Sequence, residues 1–182
     1  MHRRSIILAA AAALAAGASA ALVPADAAGP LQVAVADGKA PGFVGITRWL
    51  NSEPLTLEDL RGKVVMVTFW TYGCYNCVNT LPHVTQLYEK YKDQGFVVVG
   101  VHTPEFPFER STANVATAIK RHGITFPVAQ DNDYATWKTY GNRYWPAQYI
   151  IDKSGRIVFT HAGEGDYDTI ERTVQRLLGA TT

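Results

Sequence analysis

Cys74-Tyr75-Asn76-Cys77 sets two thiols three positions apart, and they are the only cysteines in the 182-residue chain. The pair directly follows the apolar run VVMVTFW at positions 64–70. A strand that ends in C-x-x-C and opens into a helix puts the first sulfur at a helix N-terminus. There, unpaired N–H groups and the helix dipole favour thiolate over thiol. Cys74 is therefore the expected attacking thiolate, and Cys77, one helical turn later, the expected resolving thiol. Two other readings compete. A purely structural disulfide closing so short a loop removes little chain entropy. A zinc half-site needs two further ligands from His83, His102 or a carboxylate, and no second ligand pair appears in the sequence. Thiol-disulfide exchange is the reading the spacing favours, with no metal and no cofactor expected.

The N-terminus bears on the redox compartment. Met1-His2-Arg3-Arg4 is a short basic start, positions 6–16 are uncharged and apolar, and small-residue cleavage patterns follow at Ala18-Ser19-Ala20 and Ala25-Asp26-Ala27. A membrane anchor needs roughly 20 strongly apolar residues, whereas this run is Ala-rich and interrupted by Gly17 and Pro24. Residues 1–27 are expected to be a cleaved signal peptide, so the protein is expected to be exported to the periplasm or another extracytoplasmic space. The adjacent Arg3 and Arg4 also fit a twin-arginine signal. Cleavage after Ala27 would take Arg3, Arg4 and Asp26 from totals of 17 basic and 16 acidic residues, leaving equal numbers. That balance, without a basic cluster, argues against nucleic acid or an anionic membrane surface as partner.

Residues 28–42, rich in Gly and Pro, read as an extended lead-in, and 43–182 as one domain with a normal core. Positions 57–60 suggest a short helical turn and 64–69 a buried strand. Thr80 to Lys92 has Leu81, Val84, Leu87, Tyr88 and Tyr91 at helical spacing, with Gly95 as its stop. Positions 96–101 form a second apolar run. Ser111 to His122 reads as a helix capped by Ser111 and stopped by Gly123. A short extended segment at 126–129 and a helix at 134–140 follow. The segments 148–152 and 156–161 flank Lys153-Ser154-Gly155 as a β-hairpin, and 168–178 closes as an amphipathic helix. Asp131-Asn132-Asp133 carries no complete calcium-loop pattern and reads as a turn. The sum is an α/β fold, a central mixed β-sheet flanked by helices on both faces.

Phe69-Trp70, the C-x-x-C, Pro82 and the Trp145-Pro146 pair just before a strand resemble the thioredoxin superfamily in order and spacing, from about residue 40 onward. Within it the chain resembles the exported TlpA/ResA-type proteins. Trp70-Thr71-Tyr72, Asn76-Cys77, Val101-His102-Thr103-Pro104-Glu105 and Asn142-Arg143-Tyr144-Trp145-Pro146-Ala147 further resemble the soluble thioredoxin-like domain of the DipZ proteins. The resemblance implies a thioredoxin fold. It also implies a cis peptide before Pro146 opposite the sulfurs, and a Trp145 backbone that pairs with an incoming substrate strand. The Trp145 ring would either cover one sulfur and narrow the groove or pack into the core. In DipZ the domain is joined to a CcdA-type membrane segment. The expected electron donor here is a separate CcdA-like protein, and the expected substrates are protein disulfides.

Thr68 stands where cytoplasmic thioredoxins have a buried Asp that helps deprotonate the resolving thiol, and Thr is no base near neutral pH. The resemblance to the ResA-type group makes Glu105 the leading substitute, with a pKa raised by an apolar site beside the cysteines. Tyr75 and Tyr72 are expected to form an apolar collar at Cys74, with Trp70 either part of that collar or ordinary core. His102 and His83 are weaker candidates, and at least one of them should be merely packed or solvent-facing. The expected activity is that of an exported, monomeric oxidoreductase, more a reductase than an oxidase. Two rivals stand beside it. Thr71-Tyr72-Gly73-Cys74 carries the T-x-x-C of a peroxiredoxin motif, although Val67 occupies its proline position. A peptide-binding module with a static disulfide is the other.

Overall fold

The computed structural model describes residues 38–179, so the expected leader and most of the lead-in lie outside the described residues. The elements in chain order are β1 (Arg48–Leu50), β2 (Val64–Trp70), α1 (Tyr75–Tyr91), β3 (Phe96–His102), α2 (Thr112–Arg121), β4 (Val128–Gln130), α3 (Ala135–Thr139), β5 (Ala147–Ile151), β6 (Ile157–Ala162) and α4 (Tyr167–Gly179). The six strands form one sheet in the order β1-β4-β3-β2-β5-β6. β2 pairs parallel with β3, from Val64↔Phe96 to Trp70↔His102, and antiparallel with β5. It is the central strand, and all seven of its residues are buried.

Side chains alternate across a strand, so β2 feeds two cores. Val64, Met66 and Trp70 face a cluster completed by Leu81, Val84 and Leu87 of α1, Val115 and Ile119 of α2, and Ile170 and Val174 of α4. Val65, Val67 and Phe69 face the other, with Trp137 of α3, Tyr140, Leu57 and Leu60. Each large apolar side chain fully buried in this way contributes about 1.5–3 kcal/mol of transfer free energy. Burial on both faces explains why positions 64–70 and 96–102 read as unbroken apolar runs.

The expected elements are present, and the departures have local causes. α1 begins at Tyr75, one turn before the apolar periodicity at 80, because its first turn carries the cysteines instead of core residues. β1 shows no sequence signal. It is three residues long and is a strand only because Arg48–Leu50 pairs antiparallel with Gln130–Val128. Residues at the end of the expected lead-in are tied to the body: the Ala40 amide donates to the Gly155 carbonyl at 3.0 Å. The Val44 amide donates to the Thr136 hydroxyl at 2.9 Å, which donates back to the Val44 carbonyl at 2.7 Å. Ser111 caps α2 by accepting from the Asn114 amide. Gly95 ends the α1 region with φ +91, a conformation open to glycine.

Candidate active site

The site forms where β2 ends and α1 starts. Cys74 is the N-cap of α1, half-buried, with extended backbone (φ −88, ψ 118) that turns the chain from strand into helix. Its pKa falls to about 7. The main cause is a hydrogen bond from the Cys77 thiol, assisted by the Cys77 and Asn76 amides of the helix N-terminus; partial burial and the negative charge of Glu105 oppose it. Cys77 is 1 % exposed. Burial pushes its thiol far up, and its hydrogen bond to Cys74 and the Glu105 charge act in the same direction. One sulfur is thus poised to ionise near neutral pH while the other holds its proton.

The Cys74 thiol faces the Trp145 carbonyl at 3.8 Å, and the Trp145-Pro146 peptide is cis, as the resemblance implied. The Trp145 ring is anchored by contacts with the body of the domain. Its Nε1–H donates to the Thr103 carbonyl at 3.0 Å, and the ring packs on Trp137 with centroids 4.1 Å apart. Of the two expected orientations the ring takes the packing one, and the Trp145 backbone is what faces Cys74. Tyr75, next to Cys74, is 77 % exposed. Phe106 and Phe108 are exposed and stacked on each other at 5.6 Å, and Tyr72 donates its hydroxyl to the Phe108 carbonyl at 3.0 Å. Trp70, by contrast, is core.

The carboxylate at the heart of the loop is Glu109, not Glu105. Glu105 is exposed, which removes the apolar surroundings expected for it, although its charge still reaches both thiols. Glu109 is 0 % exposed. Its Oε1 accepts from the Thr71 hydroxyl at 2.5 Å and the Gly73 amide at 2.7 Å, and its Oε2 from the Glu105 amide at 2.6 Å and the Phe106 amide at 2.8 Å. A carboxylate can be buried only when its lone pairs are filled in this way. A Cβ on residue 73 would meet Glu109 Oε1 at 2.5 Å, which explains the glycine immediately before Cys74. The available sequence signal was Pro107 opening a tight turn with an acid two positions on, a helix-start pattern.

His102 is fully buried, edge-on to Trp70 and stacked on Tyr72, with Nε2 at 3.3 Å from the Thr71 hydroxyl. Burial lowers its pKa to about 4 against the opposing pull of Glu109. His83 lies elsewhere on α1, stacked on Tyr167 at 3.7 Å. Among the described residues no three His, Cys, Asp or Glu side chains are gathered to hold a metal ion. The Thr71 hydroxyl, which a peroxidatic cysteine needs beside it, is committed to Glu109 and His102.

Residues 37–160 match the AhpC/TSA family. The chain is 51 % identical over 144 residues to Protein DipZ of Mycobacterium tuberculosis, covering 78 % of this chain and 21 % of that protein. It therefore spans about a fifth of that relative's length. It is 34 % identical over 142 residues to the thiol-disulfide oxidoreductase YkuV of Bacillus subtilis, covering 78 % of this chain and 95 % of YkuV. A solution structure of a thioredoxin-like protein in its oxidised form superposes with a TM-score of 0.72 at 32 % identity, covering 80 % of this chain and 97 % of that one. Strand order, C-x-x-C at the helix start and these likenesses agree: the chain belongs to the AhpC/TSA family, with a thioredoxin-like fold of the TlpA/ResA type.

Proposed function

We propose that this protein is an exported reductase of protein disulfides that works through Cys74 and Cys77. The observation that carries the reading is the division of labour between the sulfurs. A thiol with a pKa near 7 is about half ionised at neutral pH, close to the optimum for an attacking thiol. The Cys74 thiolate attacks one sulfur of a substrate disulfide. A mixed disulfide forms and the substrate's other sulfur leaves as a thiolate that takes up a proton. Cys77 then loses its proton and attacks Cys74. The enzyme ends as a disulfide and the substrate as a dithiol, two electrons having moved.

Cys77 stays protonated while Cys74 is a thiolate; once Cys74 is bonded to substrate and its charge is gone, the ionisation of Cys77 becomes easier. Trp145 and Pro146 present backbone to an extended substrate segment opposite Cys74, and Tyr75 offers that segment an exposed ring. Glu105 is an exposed acid whose charge acts on both thiols, and it serves as the proton acceptor for Cys77. Export rests on the N-terminal pattern of residues 1–27. In an oxidising compartment the disulfide form must be reduced again, and a CcdA-like membrane donor supplies that chemistry. The protein acts as a monomer.

The test is trapping in intact cells. Cys77→Ser should accumulate mixed disulfides with partner proteins through Cys74, and Cys74→Ser should abolish exchange. A midpoint potential below about −220 mV fits a reductase, and one near −120 mV an oxidase. An empty trap together with full function of Cys74→Ser would replace this reading with a binding module.

A further inference from the structure

Between α1 and α4, against the face of the sheet that carries Met66, lies a partly enclosed cavity of about 160 Å³. Met66, Val84, Leu87 and Ile170 give it apolar walls. Gln148 of β5 lines it, is 1 % exposed, and has neither its amide nitrogen nor its amide oxygen hydrogen-bonded. Its ladder neighbour His161 bonds neither atom, and His161 Nε2 is itself buried without a partner. A buried amide left without partners costs about 1–3 kcal/mol for each unsatisfied group. An apolar position in a sheet is the ordinary solution, so an amide here needs a partner that enters the cavity.

The surroundings define that partner. The cavity is about the size that takes one six-membered ring. His83 and Tyr167, stacked at 3.7 Å, line it with flat rings. Lys90 and Glu171 also line it, paired with each other at 2.7 Å, so the cavity presents no uncompensated charge. Gln148 offers one donor beside one acceptor, which is complementary to a group that itself carries N–H next to C=O. We propose that this cavity is a binding site for a small, planar, neutral molecule bearing a carboxamide or cyclic imide edge, read by Gln148. The proposal is independent of the cysteines and of the exchange reaction.

Benzamide is the probe and benzene the control of equal ring size, both titrated into the protein as it stands and followed by backbone amide NMR. Benzamide should shift resonances of His83, Lys90, Gln148, Tyr167 and Glu171 and leave those of Cys74 and Cys77 in place. Gln148→Leu should weaken benzamide by about five- to 150-fold, which two hydrogen bonds of about 0.5–1.5 kcal/mol each amount to, while benzene binds no worse. The insulin-disulfide reduction rate should be unchanged and reports that the variant is folded. Equal binding of benzene and benzamide to the wild-type protein overturns the proposal in favour of a plain apolar cavity. No shift at millimolar benzamide overturns it in favour of a cavity that holds water alone.

Discussion

Glu109 Oε1 accepts the Gly73 amide proton at 2.7 Å, so a carboxylate from the loop after β3 holds the residue that sets the position of Cys74. The same oxygen takes the Thr71 hydroxyl, and the other takes two amides of its own turn. Glu109→Ala deprives four donors of their acceptor and is expected to cost at least about 3 kcal/mol of stability in urea unfolding. Glu109→Gln keeps one oxygen but turns an N–H₂ toward donors, and should fall between the two proteins.

Gly73→Ala follows from the same contact. The added Cβ would lie 2.5 Å from Glu109 Oε1 and 3.2 Å from its Cδ, so either the carboxylate or the turn must move. A loss of roughly 1–3 kcal/mol is expected, together with slower alkylation of Cys74 at fixed pH. Unchanged stability and alkylation would show that the turn is softer than its geometry indicates.

Iodoacetamide alkylation should resolve the two thiols by pH. Cys74 reactivity should rise through a midpoint near pH 7 and fall tenfold per unit below it, because only the thiolate reacts. Cys77 should remain unreactive across the neutral range, held by burial. Two thiols titrating together would contradict the asymmetry on which the mechanism rests.

Glu105→Gln tests the acid that acts on both sulfurs. A negative charge disfavours thiolate, so its removal should lower the Cys74 midpoint, by less than about one unit for an exposed group. In its proposed role as proton acceptor for Cys77, Glu105 should also matter after the first attack. The variant should resolve a preformed Cys74 mixed disulfide more slowly, with its pH dependence altered.

His102 predicts an acid-sensitive fold. Its folded pKa, about 4, lies below the unfolded value of about 6.5. Above pH 6.5 both states are neutral and nothing changes. As pH falls toward 4 the unfolded chain binds a proton that the folded one refuses, so stability is lost, up to about 3 kcal/mol. His102→Phe should flatten this part of the stability profile between pH 7 and 4, compared with wild type by urea midpoints.

The chain's own pattern determined the two thiols and which of them stands at the helix start. The family resemblance supplied the proline opposite them, and the pattern itself the buried strand that delivers them and the hairpin. These features are local: C-x-x-C spacing, apolar runs, caps and turn residues act over a few positions and read directly. Tertiary structure alone decided which glutamate turns inward. Glu105 and Glu109 stand four apart in one Pro-rich loop, and only the approach of Thr71 and Gly73, 38 and 36 residues away, selects the second. It decided the orientation of the Trp145 ring by placing the Thr103 carbonyl and Trp137 within its reach. It made Arg48–Leu50 a strand by supplying a sheet edge, and it left Gln148 facing a cavity instead of a partner. Each of these depends on contacts between distant segments, whose energies have no counterpart in local propensity or period.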